Sequence, residues 1–222
     1  MTQFAFYQPF TGVVRHLIII NVLMFFGSYI VLGSESWNTD LHSYSDLGRL
    51  MFALYLPGSV NFRPWQIITH MFMHADFGHL LFNMLSLYFF GPPIERVWGT
   101  FRFLSYYLIC GLGAMALHVG VQWWSLSQAG FDPTAYNVPM LGASGAIFGI
   151  LVAFAWLFPD QIISLIFPPI SLKAKYFVPI MAALELLYGV RGYSSNVAHF
   201  AHLGGALVGF LLILVWYKPF GK

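Results

Sequence analysis

Charge is what this chain has least of: Asp, Glu, Lys and Arg together make up 8% of its 222 residues, whereas hydrophobic residues make up 59%. Soluble domains carry about 25% charged and about 45–50% apolar residues. There is too little polar surface to clothe an ordinary water-soluble fold, and the chain is expected to live in lipid. Cysteine is nearly absent as well. The single Cys110 has no intrachain partner, which excludes an internal disulfide framework and leaves packing within an apolar run as its role. The formal charge is only +2, and the basic residues are scattered among segment ends rather than gathered in a patch, so no nucleic-acid partner is expected. Long-period repeats and low-complexity tracts are also missing.

What is present is a set of six hydrophobic segments, about Val14 to Leu32, Phe77 to Val97, Phe101 to Trp124, Ser144 to Phe158, Tyr176 to Val190 and Val197 to Trp216. At about 20 residues per span, 222 residues accommodate about six spans, which predicts an all-α polytopic membrane protein formed as one domain over 1–222. The first apolar stretch is too long for a secretory signal, and no small-x-small cleavage site follows it, so it is expected to be retained as a span. With the amino terminus inside, the inner connections hold Arg15, Arg96, Arg102, Lys173, Lys175, Lys218 and Lys222, leaving Arg49, Arg63 and Arg191 outside. This imbalance predicts that both termini are cytoplasmic, with 1–13 a short inner tail. The second, fourth and sixth segments then all begin at the outer face, and those beginnings carry the unusual polar residues. In the first outer loop, residues 34–64, Leu47, Leu50, Met51 and Leu54 recur at helical spacing, with Arg49 and Arg63 able to snorkel. That pattern suits a helix lying in the membrane interface, and equally a soluble amphipathic helix.

The fourth segment opens Gly142-Ala143-Ser144-Gly145. Gly142, Ala143 and Gly145 admit a close backbone, and a serine at a helix start lies beside unsatisfied N–H groups and the positive end of the dipole, a setting able to hold an oxyanion. Taken alone, such a run also reads as a packing surface between membrane helices. The segment is short, so Ser144 is expected below the outer surface, facing a water-filled pit. In the sixth segment Gly205 and Gly209 form a small-xxx-small face, with His202 one turn outward of it. If that face meets the fourth helix, His202 falls beside Ser144 and can take the hydroxyl proton and return it to a leaving amine. At the start of the second segment His79 and Asn83 lie four apart and offer two donors, which suits an oxyanion hole or an interhelical contact.

Together these residues resemble the rhomboid family of intramembrane serine proteases. The H-x-x-x-N of His79 and Asn83, the G-x-S-G from Gly142 to Gly145, and the A-H-x-x-G-x-x-x-G from Ala201 to Gly209 stand in the family's order and spacing. The resemblance runs from about Arg63 to Gly209 and includes the glycine and glutamate pattern from Gly91 to Gly99. It implies a six-transmembrane-helix rhomboid-like bundle in which Ser144 is the nucleophile and His202 the base, a dyad with no carboxylate third member. It further implies an oxyanion hole from His79, Asn83 and the Ser144 backbone N–H, with Phe148 stacked on the catalytic histidine. His199 is expected to support the site by hydrogen bonding, and the first outer loop to be half immersed. The fifth segment is expected to border the lateral opening for substrate. Gln66, after Trp65, replaces the arginine of many members.

The implied activity is hydrolysis of peptide bonds in or near transmembrane segments of single-span or polytopic membrane proteins, without metal or organic cofactor. The implied location is the bacterial cytoplasmic membrane, with the site opening to the non-cytoplasmic side. Two other readings compete. His70 and His74 have the i, i+4 spacing of zinc ligands, but the glutamate of H-E-x-x-H is missing, with Met71 in its place. A catalytically inactive rhomboid-like protein that binds or routes membrane proteins is the other. Such relatives usually lack the serine or the histidine, and this chain has both. Glu185, a carboxylate within the fifth segment, is read as a hydrogen bond to a neighbouring helix rather than part of a proton relay.

Overall fold

The computed structural model describes residues 12–32, 46–132, 138–164, 169–191 and 199–216. In chain order they form α1 (Gly12–Leu32), α2 (Asp46–Phe52), α3 (Gln66–Thr69), a 3-10 turn (His70–Phe72), α4 (Phe77–Trp98), α5 (Thr100–Gln128) and α6 (Ser144–Leu157). A short ribbon of β1 (Ile162–Ser164) and β2 (Ser171–Lys173) follows, then α7 (Ala174–Arg191) and α8 (His199–Trp216). The six apolar segments coincide with α1, α4, α5, α6, α7 and α8. Most of the expected inner tail, the first part of the outer loop, the opening of the sixth segment, Lys218 and Lys222 lie outside the described residues. By length and composition α5 and α8 can each cross a bilayer, while Gly12–Ser28 and α6 are apolar but shorter.

At the centre stands α6, which buries residues around most of its circumference: Gly145, Ala146, Ile147, Gly149, Ile150, Leu151, Ala153 and Phe154. The helices around it are apolar on both sides, with Leu87, Phe103, Tyr106 and Ile213 turned inward and Phe82, Phe89, Leu207 and Val215 exposed. A protein surface so rich in large apolar side chains has lipid as its natural solvent.

Close backbone approach fixes how α8 sits on α6. A Cβ at Gly205 would collide with the Gly145 carbonyl oxygen, and one at Gly209 would lie 3.0 Å from the Gly149 Cα. Tyr106 of α5 donates its hydroxyl to the Gly149 carbonyl at 2.8 Å, and Cys110 packs against the same glycine. The small-residue face of the sixth segment therefore meets the fourth helix. At the opposite end of the molecule, Glu95 of α4 accepts from the backbone N–H groups of Val13 (2.8 Å) and Val14 (3.2 Å) and from Thr100 Oγ1 (2.7 Å). That carboxylate caps the start of α1, where helical N–H groups have no intrahelical acceptor.

The helical bundle agrees with the all-α reading, and the minor antiparallel β1–β2 ribbon between α6 and α7 in chain order pairs Ile162 with Lys173 and Ser164 with Ser171. This ribbon carries Lys173, and Lys173 and the following Lys175 reach Asp160 at 3.1 and 2.9 Å. In the outer loop, Leu47, Leu50 and Met51 do share the short α2 and are exposed, but Leu54 has left the helix and pairs through its backbone with Met140. Both arginines bond backbone carbonyls nearby: Arg49 Nη2 approaches the Ala75 carbonyl at 3.5 Å, and the exposed Arg63 donates to the carbonyls of Val60 and Phe62, both at 2.8 Å.

Candidate active site

The turn before α6 is shaped by backbone. Gly142 has φ +124°, a conformation that side-chain-bearing residues rarely adopt, and its N–H donates to the His70 carbonyl at 2.9 Å. The cap, Ala143, offers no side-chain acceptor, and the first backbone bond into α6 runs from the Ile147 N–H to the Ala143 carbonyl at 3.0 Å. The N–H groups of Ser144, Gly145 and Ala146 are thus left without a helical partner at the positive end of the dipole. Such donors suit a developing anion.

The close crossing of α6 and α8 brings His202 Nε2 to 2.8 Å from Ser144 Oγ. Phe148, one turn along α6, stacks on the His202 ring with centroids 4.5 Å apart and planes 7° apart. Nε2 can accept the serine proton only in the tautomer that carries its hydrogen on Nδ1. Facing that Nδ1, at 3.0 Å, is Oε1 of Glu185. The oxygen lies off the ring N–H direction, so the contact is a close polar approach rather than an aligned hydrogen bond, and it becomes an ion pair when the ring is protonated. The other oxygen, Oε2, meets His199 Nδ1 at 2.6 Å. The expectation was a dyad with no carboxylate third member and Glu185 bonded to a neighbouring helix; Glu185 does bond to His199 of α8, and its other oxygen stands near the His202 imidazole. Periodicity gave no sign of this, because nothing along α7 tells which of its faces meets α8.

Across the site stands the start of α4, capped by Asp76, whose Oδ1 accepts the His79 N–H at 2.8 Å. His79 Nδ1 accepts from the Ala75 N–H at 3.3 Å, which leaves Nε2 as the donor nitrogen. A Cβ added to Gly142 would lie 2.9 Å from His79 Nε2 and 3.6 Å from Ser144 Oγ, so these two groups flank the same glycine. One turn on, the buried Asn83 spends one amide hydrogen on the His79 carbonyl at 2.8 Å and retains the other. The supporting glycines Gly142, Gly145, Gly205 and Gly209 all lie at this turn or in the α6–α8 contact below it.

The loop before α4 is tied to the site through the Gly142 N–H, which donates to the His70 carbonyl. Gln66 is fully buried; its Oε1 accepts from the Arg63 N–H (3.0 Å) and the Tyr55 N–H (3.4 Å), and its Nε2 donates to the carbonyls of Leu50 (2.8 Å) and Asn61 (3.1 Å). His70 directs Nδ1 to the Gln66 carbonyl at 2.8 Å. Burial pushes the His70 imidazole down to about 4 and, with the nearby His79 ring as a lesser cause, His74 down to about 3. Both are therefore neutral near neutral pH. No group of three or more His, Cys, Asp or Glu side chains suited to a metal ion occurs among the described residues.

A family model described as the Rhomboid domain matches residues 61–219, the stretch that contains Ser144, His202, His79, Asn83 and Glu185. The chain belongs to the rhomboid family. It is 29% identical over 204 residues to the rhomboid protease AarA of Providencia stuartii, covering 90% of this chain and 70% of that protein. With the putative rhomboid protease YdcA of Bacillus subtilis it shares 34% identity over 161 residues, 71% of this chain and 70% of the relative. The rhomboid protease GluP of Bacillus subtilis is 28% identical over 231 residues, spanning all of this chain and 39% of that protein. Rhomboid proteins are integral membrane proteins, and the apolar helical bundle agrees with that. Intramembrane proteolysis is the general activity of the family's proteases. Within this rhomboid, the approach of Glu185 to His202 and the four backbone partners of Gln66 are the contacts that the sequence did not disclose.

Proposed function

We propose that this rhomboid is an intramembrane serine endopeptidase in which Ser144 attacks a peptide carbonyl and His202 is the general base. The observation that carries the reading is the 2.8 Å approach of His202 Nε2 to a serine hydroxyl at an uncapped helix start. As Oγ bonds to the carbonyl carbon, His202 takes the hydroxyl proton; the C–N bond then breaks and the same proton goes to the leaving amine. Water, activated by His202 in its neutral form, resolves the acyl-enzyme. The negative oxygen is held by the Ser144 N–H, His79 Nε2 and Asn83. The Phe148 stack keeps the imidazole plane fixed while its charge changes.

Substrates are membrane proteins whose scissile segment unwinds, because helical carbonyls are already occupied by intrahelical bonds; glycine or proline near the cut and a small residue on its acyl side favour this. Both termini are cytoplasmic, and the site opens to the non-cytoplasmic side. The test is purified protein in liposomes with a single-span model substrate. Wild type cleaves it and is labelled by a fluorophosphonate; Ser144→Ala and His202→Ala each abolish cleavage, Ser144→Ala also abolishes labelling, and the double variant is no worse than either. Cleavage by folded Ser144→Ala would overturn the assignment. A wild-type protein that binds the substrate without cutting it would favour the inactive-relative reading.

A further inference from the structure

We propose that Glu185 is a positioning residue for the reaction, a carboxylate that orients His202 through Oε1, is itself anchored by His199 through Oε2, and balances the imidazolium formed when Ser144 gives up its proton. This rests on the preceding assignment of Ser144 and His202. The outer half of α7 otherwise turns apolar residues outward, with Leu184, Leu186, Leu187, Tyr188 and Val190 exposed, so Glu185 is the polar residue of that stretch set against α8. Its two oxygens divide between two partners, His202 Nδ1 at 3.0 Å and His199 Nδ1 at 2.6 Å. The side chains of Glu185 and His202 are each only 13% exposed, so the charge acts with little screening by water. A carboxylate bridging two side chains cannot rotate away from the base without breaking its contact with His199.

The ring of His202 is then held at three points: Nε2 by Ser144, one face by Phe148 and Nδ1 by Glu185. Charge balance runs as in other serine hydrolases. Oγ–H gives its proton to Nε2, the ring becomes cationic, and Glu185 stays ionised and takes no proton. A carboxylate so placed lowers the barrier for forming the ion pair and has little effect on how the substrate docks.

A clamp with no part in the reaction predicts something else. If Glu185 merely ties α7 to α8, cutting the tie loosens α7, lowers the melting temperature and changes KM, while kcat per folded molecule survives. The two roles are separated by Glu185→Gln and Glu185→Asp, assayed in liposomes beside wild type and Ser144→Ala, with melting temperatures recorded. Glu185→Gln keeps size and hydrogen bonding but removes the charge; it is expected to lower kcat on the order of 10²-fold with KM changed less than about 3-fold, a smaller loss than for an aligned triad carboxylate because Oε1 lies off the N–H axis. Glu185→Asp keeps the charge on a shorter stem and is expected to recover at least about 10-fold over Glu185→Gln. Near-wild-type kcat in folded Glu185→Gln, or Glu185→Gln more active than Glu185→Asp, would overturn the proposal. So would failure of both variants to fold, which assigns the carboxylate to structure. Cleavage by Ser144→Ala in the same assay would instead remove the underlying dyad.

Discussion

His79 has one ring nitrogen left to offer once Nδ1 has accepted the Ala75 N–H, and that nitrogen lies beside Gly142 on the same side as the Ser144 hydroxyl. Asn83 likewise keeps one amide hydrogen after bonding the His79 carbonyl. Donors with a single free hydrogen and a fixed direction are preorganised for an anion, since no reorientation is needed when charge develops. Asn83→Ala is expected to lower kcat on the order of 10²–10³-fold, about 2.7–4 kcal/mol, with little change in KM. His79→Ala should behave alike. Steady-state cleavage and melting temperature measured on the same preparations check this, and a destabilised Asn83→Ala with near-normal kcat would assign the pair to helix packing. That the two residues share a face was legible from their spacing, because i and i+4 on a helix lie together whatever surrounds them. Which nitrogen of His79 is the donor was not, because the Ala75 N–H that decides it belongs to the folded loop.

At the scale of elements, the site depends on how closely α8 approaches α6. Gly205 admits the Gly145 carbonyl where a side chain would stand, and this contact lies one turn inward of His202. Gly205→Ala must push the helices apart, with an expected loss of about 1–3 kcal/mol from overpacking and a disproportionate loss of activity as Nε2 moves off Oγ. Gly120→Ala in α5, where an added Cβ meets nothing, serves as the control and should leave both properties intact or raise stability slightly. Equal effects of the two substitutions on melting temperature and turnover would refute the argument. The glycine spacing foretold a tight crossing, since only small residues let membrane helices meet at backbone distance. The loop was less legible. Gln66 reads in sequence as the replacement of an arginine found in many family members, and only the fold shows four backbone groups converging on its amide.

For the molecule as a whole, the arrangement of lysines and arginines sets an orientation that can be measured directly. Cys110 is fully buried, so the native thiol gives little background to a water-soluble reagent. With both termini inside, a cysteine introduced by Val60→Cys in the outer loop should react with a membrane-impermeant maleimide on intact cells, whereas one introduced by Ser171→Cys in the β1–β2 ribbon should react only after permeabilisation. Both positions are exposed in the fold. The reverse pattern would place the site on the cytoplasmic side. That the chain is a bundle of apolar helices was readable without coordinates, because the apolar segments are long and the polar gaps between them few. The β1–β2 ribbon was not, since strands of three residues carry too short a pattern to register.

Sequence alone determined the lipid-borne class and the helical segments, and its short motifs carried the resemblance to the family. The first two follow from composition and from apolar runs whose residues lie close together in the chain. Tertiary structure alone decided that Glu185 of α7 stands between His199 and His202, that Gln66 gathers the outer loop, and that Glu95 caps α1. Those contacts join residues on different elements, and their existence depends on helix rotation and crossing, which arise from packing many side chains at once and leave no periodic mark along the chain.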